Sequence, residues 1–165
     1  MNKMDPERLR DLASNEHRAN KKLAKKLKAE KKGALVNELV KETHDELFAE
    51  FDCLECANCC KSISPIIYEK DIDRIARKLK IKPAKFTEEY LKIDEEGDYV
   101  FKKTPCPFLL PDNYCSIYEV RPKSCRDYPH IDHRNFIKII SDSVKNTFVC
   151  PIVRKLHKKL IGRFL

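Results

Sequence analysis

The chain has no tryptophan and only three glycines. Its aromatic core material must therefore be Phe and Tyr. Few glycines beside 36% charged residues favour a helix-rich fold. No run of eighteen apolar residues occurs, which excludes an apolar membrane-spanning helix. The start, Met1-Asn-Lys-Met-Asp-Pro-Glu-Arg-Leu-Arg, lacks an apolar segment, so no signal peptide is expected and the cytoplasm is the expected location. Nucleotide and hydrolase signatures are missing as well: there is no GxGxxG, no P-loop and no HExxH. No serine-centred triad can be nominated. His44-Asp-Glu46 has the His-x-Glu spacing of a zinc deaminase, but no Pro-Cys-x2-Cys follows it.

What is present is cysteine. Eight occur in 165 residues. Four are packed into Cys53-Leu-Glu-Cys56-Ala-Asn-Cys59-Cys60, and the others are Cys106, Cys115, Cys125 and Cys150. A reducing compartment argues against a disulfide framework and for thiolate ligation. Two-residue gaps let successive thiolates turn back toward one centre. Thiolates are soft donors, suited to iron–sulfur clusters, zinc and copper(I) and poorly suited to magnesium or calcium. The C-x2-C-x2-C spacing matches that around a [4Fe–4S] cluster, where a distant Cys-Pro is a further feature. Cys106-Pro107 and Cys150-Pro151 both have that form. Zinc reads the same residues differently, because one tetrahedral site needs only four thiolates and often starts from C-x2-C. One or two clusters, zinc sites, or one site with spare thiols all remain open. Adjacent Cys59 and Cys60 allow a two-site split, with Cys53, Cys56, Cys59 and Cys150 around one centre and Cys60, Cys106, Cys115 and Cys125 around another.

The length fits one domain, and 42% apolar residues suffice for a modest core. The expected fold is mainly α with a small β element and long metal-organised loops, forming a single compact cysteine-cluster domain. Residues 1–33 are expected to be a basic helical N-terminal extension, and residues 34–165 the metal-binding domain. Within the extension, Leu9, Leu12, Leu23 and Leu27 are sparse among eight basic residues between Arg18 and Lys32, which describes a solvated arm or a lightly docked helix. Residues 34–51 repeat apolar side chains near 3.6 residues and predict an amphipathic helix. Residues 53–64 read as a loop wrapped on metal, 69–80 as a short helix, and Pro83 as the first turn of another. Residues 99–103 predict a strand, paired near Lys92 or with residues 136–140. Residues 143–165 are helical by pattern, with Pro151 demanding a start or kink there. His17, His44 and His157 sit in polar helical contexts and are expected to be solvated.

The net charge is +8, and residues 121–165 hold the surplus, with 11 basic and 3 acidic groups. Arg121, Arg126 and Tyr128 surround the late cysteines. The two arginines are candidates to donate to cluster sulfur, balance thiolate charge or meet a substrate. His130 and His133 follow Cys125 closely and are secondary ligand candidates. The basic helices leave RNA contact open as a weak possibility through phosphate binding.

Taken in order, the Cys53–Cys60 run, Cys106-Pro-Phe-Leu, and Cys115-Ser-Ile-Tyr-Glu-Val-Arg-Pro-Lys-Ser-Cys125-Arg-Asp-Tyr-Pro129 resemble the CxxCxxCC cysteine-cluster family, also called YkgJ-like. Asp71-Ile-Asp-Arg-Ile-Ala76 is similar to that family's helix after the cysteine run. The resemblance covers about residues 50–155 and implies a zinc- or iron-chelating domain. Members are often labelled iron–sulfur proteins or oxidoreductases. A larger relative, the flagellin lysine N-methylase, is similar in its cysteine domain. No S-adenosylmethionine pocket or C-x3-C-x2-C run is recognisable here. The leading expectation is an iron–sulfur protein, redox-active or cluster-dependent, meeting a redox protein or a small-molecule substrate. The alternative is a zinc-stabilised module that contacts protein or RNA.

Overall fold

A computed structural model describes residues 5–30 and 32–165. In chain order the helices and strands are α1 (Pro6–Ala29), α2 (Gly33–Glu50), α3 (Cys53–Cys56), α4 (Asn58–Ser62), α5 (Glu69–Leu79), α6 (Pro83–Tyr90), β1 (Leu91–Ile93), β2 (Tyr99–Phe101), α7 (Lys123–Asp127), α8 (Phe136–Asn146) and α9 (Pro151–Phe164). One 3-10 turn, Tyr118–Val120, precedes α7. The fold is mainly α, with a small two-stranded element, as the composition implies. Contacts gather the chain into two units: Met1–Asp52 with Pro129–Leu165, and Cys53–Tyr128.

The first unit holds α1, α2, α8 and α9. Asp5 caps α1 by accepting the Arg8 N–H at 3.1 Å, and Pro6 opens the helix. The few apolar residues of α1 fall on one stripe, so Leu9, Ala13, Leu23 and Leu27 are fully buried. Helix α1 packs on α8 and α9 through this stripe, which makes it a docked helix despite its basic outer face. Val36, Val40 and Leu47 of α2, Phe136 and Ile140 of α8, and Ile152, Leu156 and Leu160 of α9 complete the core. Asn37 caps α8 from another helix: its Oδ1 accepts the Phe136 N–H at 3.0 Å. Residues 136–140 therefore begin a helix. Pro151 stands at the first position of α9, so the helical pattern of 143–165 divides between α8 and α9.

His157 departs from expectation: it is 1% exposed. Val153, Leu156 and Leu160 pack around its own helix, so its turn faces inward. Its Nδ1 faces Asn20 Oδ1 at 3.2 Å and its Nε2 faces Ser143 Oγ at 2.9 Å. A carboxamide oxygen only accepts, so Nδ1 carries the proton and the serine hydroxyl donates to Nε2. Burial lowers the His157 pKa to about 4 and keeps the ring neutral. Ser143, His157 and Asn20 have the order of a nucleophile, base and orienting group. With each no more than 2% exposed, no substrate reaches them, and the trio joins helices instead. Arg154 reinforces the same region through a two-pronged pair with Glu16 at 2.8 and 2.7 Å.

The second unit has a smaller core of Ile67, Ile72, Ile75, Ala76, Phe86, Leu91, Phe101, Phe108 and Ile117. Tyr90 and Phe86 stack with Phe108, and Phe101 meets it edge-on. Strands β1 and β2 pair antiparallel, with Lys92 opposite Val100. The turn between them is tied by Asp94, whose Oδ1 accepts the Glu96 and Asp98 N–H groups. Gly97 there has φ +89°, a conformation for which glycine is suited. Ile66 forms a further bridge to Val100, so the extended segment before α5 joins the sheet edge.

Candidate metal centre

The first cysteine run is not a plain loop. Cys53–Cys56 makes one helical turn, α3, closed by the Ala57 N–H on Cys53 O at 2.9 Å. Ala57 then takes a left-handed conformation, φ 51°, and starts α4 in a new direction. This reversal explains the helices where a loop was expected: each cysteine pair is short enough to ride on its own turn. Cys53 is exposed, Cys56 is buried, and Cys59 and Cys60 are half-buried. The Cys59 and Cys60 sulfurs stand 4.0 Å apart.

Two loops bring later cysteines toward this run. The Cys106 N–H donates to Cys60 O at 2.8 Å, laying the two backbones side by side. Residues 106–116 then fold back on themselves. Leu109 bridges Cys115, Leu110 N–H donates to Tyr114 O, and Ser116 N–H donates to Phe108 O. Asn113 turns the loop with φ 70°, and its amide reaches Glu55 O at 3.0 Å, tying the tip to α3. Cys106 and Cys115 pack against the apolar core of the unit. Cys125 follows on α7, where its N–H donates to Pro122 O.

The electrostatics report the same gathering. Burial pushes the Cys125 thiol up to about 12, and the charges of Cys60, Cys106 and Cys115 push further. Burial raises Cys106 to about 11, with Cys60 and Cys115 adding to it. Burial also raises Cys115 and Cys56, with charge on Cys60 opposing ionisation at both. Cys60 runs the other way, to about 7, because the Cys59 thiol hydrogen-bonds to it; Lys61 adds a smaller pull. Cys60 is thus the hub of a set of thiols that repel one another once ionised. A cation among them removes that repulsion and deprotonates its ligands.

Arg121 belongs to this set. Its charge favours the thiolates of Cys115 and Cys125, its guanidinium lies 3.9 Å over the Tyr118 ring, and its Nη1 donates to Tyr118 O. Arg126 is exposed and donates to Arg121 O at 2.8 Å. Tyr128 ends α7 and is half-buried. Cys150, His130 and His133 lie in the other unit. Cys150 is buried at the start of α9, and the two histidines are exposed. The Asn135 N–H donates to His133 Nδ1 at 3.1 Å. Sequence reasoning placed Asp71 and Arg74 in a family-like helix but gave them no role; they hold the segment before Cys125. Their three-residue spacing on one helix was the available signal.

The donors fit zinc or iron in chemistry: they are thiols, one already acidic. Two thiolates sharing a tetrahedral zinc stand about 3.8 Å apart, close to the Cys59–Cys60 separation. Among the described residues, however, no three His, Cys, Asp or Glu side chains already form a group able to hold a single ion. None of the described helices is long and apolar enough to cross a membrane.

No curated protein and no solved structure matches the chain. The family model described as "CxxCxxCC: Putative zinc- or iron-chelating domain" matches residues 52–150, more than half of the sequence and all of its cysteines. A metal-chelating role in general comes with that match. The thiol-lined Cys53–Tyr128 unit and this match together identify the chain as a member of the CxxCxxCC family of zinc- or iron-chelating domains.

Proposed function

We propose that the chain is an iron–sulfur cluster-binding protein, with a [4Fe–4S] group held by thiolates of the cysteine unit. The carrying observation is the mutual reach of Cys60, Cys106, Cys115 and Cys125, with Cys60 as their common neighbour. A single zinc ion needs all its sulfurs about 2.3 Å from one point. Four thiols within electrostatic reach of one another, with the C-x2-C-x2-C run beside them in the chain, support a polynuclear group. Cys53, Cys56 and Cys59 stand next in chain to this set and complete the proposed ligands. Zinc remains the competing occupant, since the family description names both metals.

When bound, such a cluster supplies one-electron transfer at a potential set by cluster type, hydrogen bonding and exposure. The chain's own part is to hold the thiolates and set their charge. Arg121 supplies a fixed cation beside Cys115 and Cys125, while Arg126 and Tyr128 flank the same segment. The partner in this reading is a redox protein or a small molecule, and the compartment is a reducing one, the cytoplasm. Anaerobic purification with iron, zinc and acid-labile sulfide counted on one sample tests it. About four iron and four sulfide per chain are expected for one centre, and about eight of each for two. Stoichiometric zinc without sulfide overturns the iron–sulfur reading.

A further inference from the structure

Asp71, on the first turn of α5, is 2% exposed. A buried carboxylate persists only when its oxygens are hydrogen-bonded, so its partners show its task. Oδ2 accepts the Tyr68 N–H at 3.2 Å, which caps α5 locally. The other partners are remote in sequence or lead there. Both oxygens face the Lys123 N–H at 3.2 Å, and Oδ1 accepts Arg74 Nη2 at 2.7 Å. Arg74 carries the connection on: Nη2 donates to Arg121 O at 2.8 Å and Nε to Val120 O at 3.4 Å. Helix capping needs none of these longer links. Together they pin residues 120, 121 and 123, the stretch that delivers Cys125. Ser124 Oγ on Ile66 O at 2.9 Å and Arg126 Nη1 on Arg121 O hold the residues on either side of that cysteine.

We infer that the Asp71–Arg74 pair is a positioning device for the metal centre, fixing Cys125 and Arg121 in place before metal arrives. This rests on the thiolate centre proposed above. A ligand whose backbone is already pinned loses less freedom on binding. Groups that orient metal ligands typically change affinity 10- to 100-fold when removed. Beyond each other, the two side chains bond backbone groups at residues 68, 120, 121 and 123. The pair acts through backbone, so its loss weakens binding without removing a donor.

The Lys123 N–H offers a clean cut. Lys123 is the first residue of α7, where proline is well tolerated, and Pro122 before it is extended at ψ 150°. Lys123→Pro therefore deletes the donor to Asp71 while keeping the helix start. Lys123→Ala removes the same side chain but keeps the N–H. The probe is cobalt(II), titrated into the metal-free, reduced full chain and followed by its thiolate charge-transfer band. Lys123→Pro is expected to bind cobalt at least 10-fold more weakly than wild type, with Lys123→Ala unchanged. Asp71→Asn, which disturbs the whole clamp, is expected to lose more. Ile75→Val, a core truncation on the same helix, serves as the stability control and is expected to leave cobalt affinity unchanged.

Wild-type affinity and spectrum in both Lys123→Pro and Asp71→Asn overturn the inference. So does an equal weakening by Ile75→Val, which reduces the clamp to ordinary structural support. A wild-type chain that shows no charge-transfer band and carries no iron or zinc as purified removes the metal centre itself, a result separate from these.

Discussion

In the α1, α2, α8 and α9 unit, the buried polar groups include neutral side chains and a paired charge that answer one another. His157 sits between Asn20 and Ser143, and Arg154 meets Glu16. In the Cys53–Tyr128 unit, four of the half-buried polar groups are thiols that oppose each other's ionisation around Cys60. Its apolar core is also the smaller, built around Phe86, Phe101 and Phe108. In the first unit, His157 and Arg154 meet partners within the unit. The second leaves thiols that burial and mutual repulsion keep protonated around the more acidic Cys60, and a cation would let them ionise together. The comparison teaches where to look for dependence on metal: in the cysteine unit, while the helical unit depends on packing and on the neutrality of one histidine.

The largest expected effect breaks the comparison at its centre. Cys60→Ser should abolish stoichiometric metal, because it removes the hub of the thiol set. Metal counts on the purified variant check this. Stripping metal from wild type under reductant should likewise lower hydrogen-exchange protection in α5 and β2 strongly. Protection in α1, α8 and α9 should change little if the helical unit is sustained by its own core. Equal loss in both sets of elements would erase the distinction drawn between the units.

The next effect is on the helical side. Leu156 is fully buried on α9, so Leu156→Ala should cost about 2–5 kcal/mol, read as lost protection in α1 and α9. Metal content should stay at the wild-type value.

His157 gives the pH-dependent contrast. Its folded pKa is lowered from 6.5 to about 4, so above pH 6.5 it is neutral in both states and exerts no pH effect. Between pH 6.5 and 4 the unfolded chain takes up the proton and the folded chain does not. Stability therefore falls as pH falls through that window, by up to about 3 kcal/mol, and levels off below pH 4. His157→Gln should flatten this dependence. Hydrogen exchange in α8 and α9 across pH 6.5 to 4.5 measures it without relying on the acid-sensitive thiolate unit.

The smallest expected effect is at the Arg154–Glu16 pair, which is partly exposed at Glu16. Glu16→Gln should cost about 1–2 kcal/mol, because Arg154 is largely buried and loses its charged partner. Urea midpoints of the two chains decide it, and an unchanged midpoint would show the pair to be replaceable by solvent.

Several elements were legible in the chain. Helix α2 showed in the spacing of Val36, Val40 and Leu47, α6 in Pro83, and the pairing of β2 near Lys92 in the turn residues 94–98. These signals are local, and local preference is what a sequence displays. The burial of His157 was not legible, because a histidine among lysines on one helix is polar until neighbouring helices enclose it. The docking of α1 was left open between a solvated arm and a lightly docked helix for a related reason: sparse leucines look weak until α8 and α9 meet Leu9, Leu23 and Leu27 along one stripe. Residues 53–62 looked like loop because their pattern is too short for periodicity. The left-handed turn at Ala57 is what gives them two helical turns.

By itself, the sequence determined the donor chemistry, the family and the predominance of helix. Eight thiols in that spacing need no fold to be soft ligands, and helix follows from periodic apolar residues with few breakers. Only the tertiary structure decided which thiols share an electric field, because Cys60, Cys106, Cys115 and Cys125 are separated by loops whose closure depends on remote hydrogen bonds. Asp71 shows the reason most plainly. Nothing in its local sequence announces Lys123, yet burial leaves its carboxylate needing donors, and the fold supplies one from the segment that carries Cys125.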